Sequence, residues 1–257
     1  MLVIQKRFWI FTKKEYWFAT EVQDVSKEYD CIEYLTCPAE LTLPHSHSSK
    51  HYTLVLDLTN ELESIWRGFN RTTRNEIMQA QKIGIKVSID NSYKDFIDSY
   101  EQFARFKGLA ATTLPSRVMP KKGFLFSAEF DGQILSWHYF LSDDKYCRSY
   151  MITSKLPSAN RSVAKLISRA SRLLIWEAIK SFKARGFQIF DFGGYYMGKD
   201  KNDPRFSINF FKKGFGGTLA IRYDYKIYNS QIYKFVETIY NRKEVNFLAR
   251  ILSRTFA

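Results

Sequence analysis

Apolar residues recur along this chain in two periods. From His51 to Leu58 they alternate, with Tyr52, Leu54, Leu56 and Leu58 on one face, as in a half-buried strand. From about Asn60 the period lengthens. Leu62, Ile65, Trp66, Phe69, Ile77, Ala80 and Ile83 fall on one helical stripe, which Gly84 closes. Ile85, Val87 and Ile89 predict a short strand. Tyr93 to Lys107 predicts an amphipathic helix through Phe96, Ile97, Tyr100, Phe103 and Phe106. Phe124–Phe130 and Gln133–Leu141 flank Asp131-Gly132, a two-residue hairpin turn, and Tyr146–Thr153 is a third strand. The longest helix is predicted from about Ser162 to Arg185, burying Val163, Leu166, Ile167, Ala170, Leu173, Leu174 and Ala178. Phe187–Phe192 reads as a buried strand stopped by Gly193-Gly194. Asp203-Pro204 opens a short helix that Gly214 ends, Thr218–Tyr228 is a strand, and Ser230–Ser253 is a last helix with a basic face. The first 20 residues are aromatic and β-prone, and residues 38–51 read as a loop.

From Ile85 the order is strand, helix, hairpin, strand, long helix, strand, short helix, strand. That order predicts a mixed α/β (α+β) sheet whose long helix crosses between parallel neighbours. The helix begins where a strand ends, so its free amides point toward the open edge of the sheet, a place suited to phosphate.

Composition narrows the classes. In 257 residues, 22 Phe, 16 Tyr and 5 Trp supply a core and exclude disorder as the main state. Lys and Arg total 39 against 26 Asp and Glu, a net charge of +13, which favours anionic partners: nucleic acid, phosphorylated cofactors or acidic lipid. Cys31, Cys37 and Cys147 are an odd number without zinc spacing, and His45, His47 and His51 read as part of a solvated connector, so no metal is expected. No apolar run reaches the roughly 20 residues of a membrane span. Lys6, Arg7, Lys13 and Lys14 break the amino-terminal apolar stretch, so it does not read as a signal peptide, and the chain reads as cytoplasmic and reduced.

Three strings carry a resemblance. WRGFNRTTRNEIMQAQKIGIKV at 66–87, WEAIKSFKARGFQIFDFGG at 176–194 and INFFKKGFGG at 208–217 resemble, in order, blocks of the FemABX-like, GNAT-related acyltransferases. The resemblance implies a GNAT-like fold with a reduced amino-terminal half (1–84), an acyltransferase core (85–229) and a carboxy-terminal helix (230–257). It also implies transfer of an acyl or aminoacyl group to an amine of a cell-envelope precursor, from acyl-coenzyme A or from aminoacyl-tRNA. The chain departs from the coenzyme A pattern: SANRSVAK stands where a Gly-rich phosphate loop would be.

Candidate residues follow. Ser158, Arg161, Ser162 and Lys165, at the start of the long helix, are expected to hold the donor's phosphates, or else to belong to a solvated basic face with Arg169 and Arg172. Arg71, Arg74 and Asn75 share a helical face with Arg67 and read either as an anion-binding acceptor site or as surface and structural arginines. Asp191 ends a buried strand and reads as a substrate-binding residue or as the cap of a turn, and beyond it Tyr195 or Tyr196 reads as a general acid or as packing. His138 is a candidate general base or a half-buried histidine with a satisfied hydrogen bond, and Glu129 is an alternative base. The run from Phe210 to Gly217, with Lys212, Lys213 and three glycines, reads as a phosphate nest or as a helix end with core phenylalanines, and the carboxy-terminal helix as packed or as lying on an anionic membrane surface. The expectation is therefore an N-acyltransferase using acyl-coenzyme A, with a small-molecule or glycan-linked amine as acceptor. Aminoacyl-tRNA is the alternative donor, and a non-catalytic nucleic-acid-binding protein the alternative of another class.

Overall fold

The computed structural model describes every residue except Trp9, 108–117, 155–159, 201–202 and 240–257. Two compact units result. One holds Met1–His51, residues 104–107 and the described residues from Ile221 on; the other holds Tyr52–Phe103 and 118–220. The units thus do not follow chain order, whereas the sequence reading draws its boundaries at 84 and 229.

In the first unit, β1 (Leu2–Phe8) pairs antiparallel with β2 (Phe11–Trp17), and β2 pairs parallel with β3 (Cys31–Cys37). The far end of the chain returns as β10 (Thr218–Tyr228), antiparallel to β3. Tyr16 stacks on Tyr34 at 5.0 Å over Ile32, Cys37, Tyr225 and Ile227. Residues 231–239 are helical, with Tyr233 buried edge-on to Phe11 at 5.4 Å; the rest of the expected last helix lies outside the described residues.

The second unit carries a sheet in the order β4 (His47–Asp57), β9 (Ile189–Tyr195), β8 (Tyr146–Ser154), β7 (Gln133–Ser142), β6 (Gly123–Phe130), β5 (Lys86–Asp90). Only β8 and β9 are parallel in it; the other pairs are antiparallel. The mixed α/β sheet expected from the sequence is present. The crossover from β8 to β9 is α4 (Arg161–Ala184), whose apolar stripe meets the sheet. Phe182 of α4 is ringed by Phe124, Phe126, Phe140, Phe187 and Phe190 at centroid distances of 5.1–6.1 Å. Aromatic edges meeting faces at these distances add to the area buried.

Three local expectations are corrected. The helix expected from Asn60 is two: α1 (Leu62–Gly68) and α2 (Arg71–Lys82). Phe69 and Asn70 are extended between them, and the Asn70 side chain accepts the Thr73 N–H at 2.7 Å, a cap that starts a new helix. The loop expected to run to residue 51 ends earlier, because β4 begins at His47 and Cys31–Cys37 is a strand. Gly193-Gly194 does not stop β9. Gly193 adopts φ +80°, open to glycine, and lets the strand bulge where its register with β4 shifts between Thr53 and Val55.

Candidate active site

The parallel ladder between β8 and β9 is short. It pairs Tyr146 with Ile189, Cys147 with Phe190 and Arg148 with Asp191, and ends there. Yet β8 runs on to Ser154 and β9 to Tyr195. The two strands therefore fork beyond Arg148 and Asp191. On its other side β8 bulges near Tyr150, where its register with β7 shifts between Tyr139 and Phe140. A fork between parallel strands frees backbone groups in a sheltered place, and open α/β sheets bind ligands at such splits.

Asp191 closes the apex. Its carboxylate is fully buried and pairs with Arg148 Nη1 at 2.6 Å. It also accepts from Tyr146 Oη at 2.8 Å, from the Gly193 N–H at 2.6 Å and from the Thr53 hydroxyl. Burial pushes its pKa up, but Arg148 and these three donors overcome that and hold it below 3.8. These partners occupy the carboxylate and tie β8, β9 and β4 together where the ladder ends.

Cations gather around that apex. Lys212 sits near the end of α5 (Pro204–Lys213), whose first turn Asp203 caps, and its Nζ donates to the Gly194 carbonyl at 2.6 Å. Burial, then the neighbouring Arg148, pulls the Lys212 pKa down to about 8, with Asp191 opposing. A methyl group on Gly193 would lie 3.2 Å from the Ser149 carbonyl and 3.8 Å from Lys212 Nζ, which shows how closely the three elements converge. Arg172 of α4 lays its guanidinium 4.8 Å over the Phe211 ring and donates to Ser168, while its Nε is buried without a partner. Of these, Arg148 carried no mark in the sequence, while Lys212 entered the sequence reading as part of the 210–217 run and Arg172 as part of the basic face of the long helix.

The depressed Lys212 pKa has a measurable sign. Between about pH 8 and 10.5 the unfolded chain binds a proton that the native state has shed, so this lysine makes stability rise with pH across that window. Below it, an anion that keeps Lys212 charged relieves the penalty. Inorganic phosphate is therefore expected to raise Tm more at about pH 7 than at about pH 9, as read by thermal denaturation. An equal shift at both pH values would refute anion binding at Lys212.

The other expected site residues are placed as follows. Arg161, Ser162 and Lys165 are exposed on the first turn of α4, where the Asn160 side chain accepts the Ser162 N–H at 2.9 Å. Ser158 lies outside the described residues. Arg71 and Asn75 are exposed on α2, while Arg74 donates to the carbonyls of Arg67 and Phe69 and so ties α2 to α1. Arg169 pairs with Glu76 at 2.9 Å. Tyr195 and Tyr196 stand at the end of β9. The Tyr196 ring lies 4.2 Å under the Arg205 guanidinium, and its backbone exchanges two hydrogen bonds with Asn209. His138 is 1% exposed, and neither ring nitrogen has a partner. Burial drives its pKa down to about 3, so it is neutral at pH 7. Glu129 lines a separate polar cavity of about 470 Å³ with Asp90, Asp95 and Trp137. Arg148, Asp191 and Lys212 thus converge at the fork, while Glu129 stands at that cavity and Arg71 and Asn75 on the surface of α2. Among the described residues, no group of three or more His, Cys, Asp or Glu side chains could hold a metal.

No family model matches the chain, and no curated protein sequence matches it. Solved structures do. FemX superposes with a TM-score of 0.65 over 91% of this chain and 86% of its own, at 12% identity. The fold is that of FemX. The C-terminal domain of a protein assigned as a lysylphosphatidylglycerol synthetase from Agrobacterium fabrum gives a TM-score of 0.50 at 13% identity, over 76% of this chain and 67% of that one. L-PGS from Bacillus licheniformis gives 0.50 at 10% identity, over 82% and 72%. The resemblance read at 66–87, 176–194 and 208–217 is borne out as one of fold. Within the FemX-like fold, those strings supply α2, the β9 arm of the fork, and Lys212.

Proposed function

We propose that this protein transfers an acyl or aminoacyl group from a phosphate-bearing donor to an amine, with the reacting carbonyl seated in the fork between β8 and β9. The observation that carries the reading is the end of the ladder at Arg148 and Asp191, where Lys212 joins them. The acceptor nitrogen adds to the carbonyl carbon. Negative charge builds on the carbonyl oxygen, and backbone N–H groups freed beyond the fork and the Lys212 ammonium are the donors that meet it. The new C–N bond then forms as the C–S or C–O bond breaks. The leaving thiolate or alkoxide departs with the electron pair, and one proton moves from the acceptor nitrogen to it. The neutral His138 supplies no positive charge, and holding the two substrates together contributes much of the rate.

Acyl-coenzyme A is the first donor reading, with a sugar or cell-envelope amine as acceptor. A second reading, aminoacyl-tRNA, draws support from the cap on α4, which occupies one of the first-turn amides a diphosphate would use, and from the FemX fold. A thermal-shift and turnover screen against acyl-coenzyme A thioesters and charged tRNAs tests the proposal. The tRNA reading predicts that affinity falls by roughly a thousandfold between low and physiological salt, the thioester reading a far smaller fall. Neither donor binding nor turning over would refute the function. In either case Arg161→Ala with Lys165→Ala is expected to weaken donor binding by roughly tenfold, measured by calorimetry; unchanged affinity would remove these residues from the donor site.

A further inference from the structure

The end of β9 and α5 enclose a second hollow, of about 360 Å³, lined chiefly by Tyr195, Tyr196, Met197, Phe206, Phe210 and Leu219. Its rim is unusually apolar for a surface. Phe210 is 70% exposed, Met197 53%, Leu219 47% and Phe206 38%, with Ile208 of the same helix at 49%. Single exposed apolar side chains are ordinary, but four around one hollow (Met197, Phe206, Phe210 and Leu219) mark a contact surface.

Charge selects the occupant. Residues 197–213 carry five cations against two carboxylates, a net charge of +3 that remains after Arg205 and Asp203 neutralise each other at 2.5 Å. The cations are seated beside the rings: Arg205 lies 4.2 Å over Tyr196 and Lys213 5.7 Å over Tyr195. Apolar tips flanked by tyrosines and long basic stems match the layering of a bilayer interface, with acyl chains innermost and phosphates outside. A protein partner suits this rim less well, because lysines are depleted at protein interfaces. No helix among the described residues is long and apolar enough to cross a membrane.

We propose that α5 and the end of β9 dock this protein on the surface of a bilayer containing anionic phospholipid, with Phe206, Phe210, Met197 and Leu219 inserted and Lys213 and Arg205 at the phosphates. The contact needs no donor and no transfer chemistry, so it stands or falls apart from the proposed activity.

Co-sedimentation with vesicles of phosphatidylcholine, with and without phosphatidylglycerol, tests it. The wild-type chain is expected to bind the mixed vesicles and to bind pure phosphatidylcholine far more weakly. Phe210→Ser, at an exposed position, is expected to keep the wild-type circular dichroism and Tm and to lose about tenfold or more in vesicle partitioning. Phe210→Trp is expected to shift its emission to the blue on adding the mixed vesicles and to be quenched by brominated lipid. The proposal is overturned if wild type does not bind, if Phe210→Ser binds equally well, or if the indole of Phe210→Trp stays in water while the protein binds. Self-association lost in Phe210→Ser would also overturn it, since a second copy would then cover the patch.

Discussion

Lys212→Met is expected to lower the rate of transfer by about 10²–10³-fold, the usual cost of removing one donor from a developing oxyanion. The expectation follows from place and charge. Lys212 reaches the fork from α5, bonds the Gly194 carbonyl and lies close to Arg148 and Asp191. A cation held there with a depressed pKa binds its proton less firmly than a free lysine, and negative charge on the substrate restores it. Because that charge grows toward the transition state, the loss should fall on kcat more than on KM. Methionine keeps most of the side chain's volume and removes a charge whose burial is unfavourable, so stability at pH 7 is expected to hold or rise. Turnover by Lys212→Met within about threefold of wild type would take Lys212 out of the reaction.

The second large effect concerns stability. Asp191→Ala is expected to destabilise the protein by about 3–5 kcal/mol, because it strands the Arg148 guanidinium, which is 11% exposed, beside an already charged Lys212. It also removes the acceptor of the Tyr146 hydroxyl and of the Gly193 N–H, while the Thr53 hydroxyl keeps the Gly193 carbonyl. Arg148→Met combined with Asp191→Leu removes both charges, and much of the lost stability should return. Urea denaturation of Arg148→Met, Asp191→Leu and the double variant measures the coupling. In the wild type, the Asp191 contribution is present at neutral pH and is lost as pH falls below 3.8, the ordinary value from which its pKa is lowered. A destabilisation under about 1 kcal/mol for Asp191→Ala would show the pair to be dispensable.

Much of this arrangement could be read from residues alone, and the exceptions share a cause. The period of apolar positions marks α3 (Tyr93–Lys107), α4, α5 and the β6–β7 hairpin, because each is fixed by local chemistry. Asp131 and Gly132, at φ 50° and 69°, form the tight turn that this dipeptide favours. Pairing between distant segments leaves no such mark. Nothing local says that β3 adds β10, more than 180 residues later, or that Asp191 meets an arginine 43 residues before it. His138 reads as half-buried from its strand, yet it is wholly enclosed because Phe126, Phe140 and α4 cover that face. Lys212 looks like the basic end of a short helix, and only the fork turns it into a site.

Transfer where β8 and β9 part requires the donor to be felt at the fork. Amide chemical-shift mapping on the labelled protein, titrated with whichever donor the screen selects, tests it most directly. The largest shifts are expected on Ser149 to Ile152, Gly193, Gly194 and the end of α5. Shifts confined to the polar cavity beside Glu129 and Trp137, with the fork silent, would contradict it.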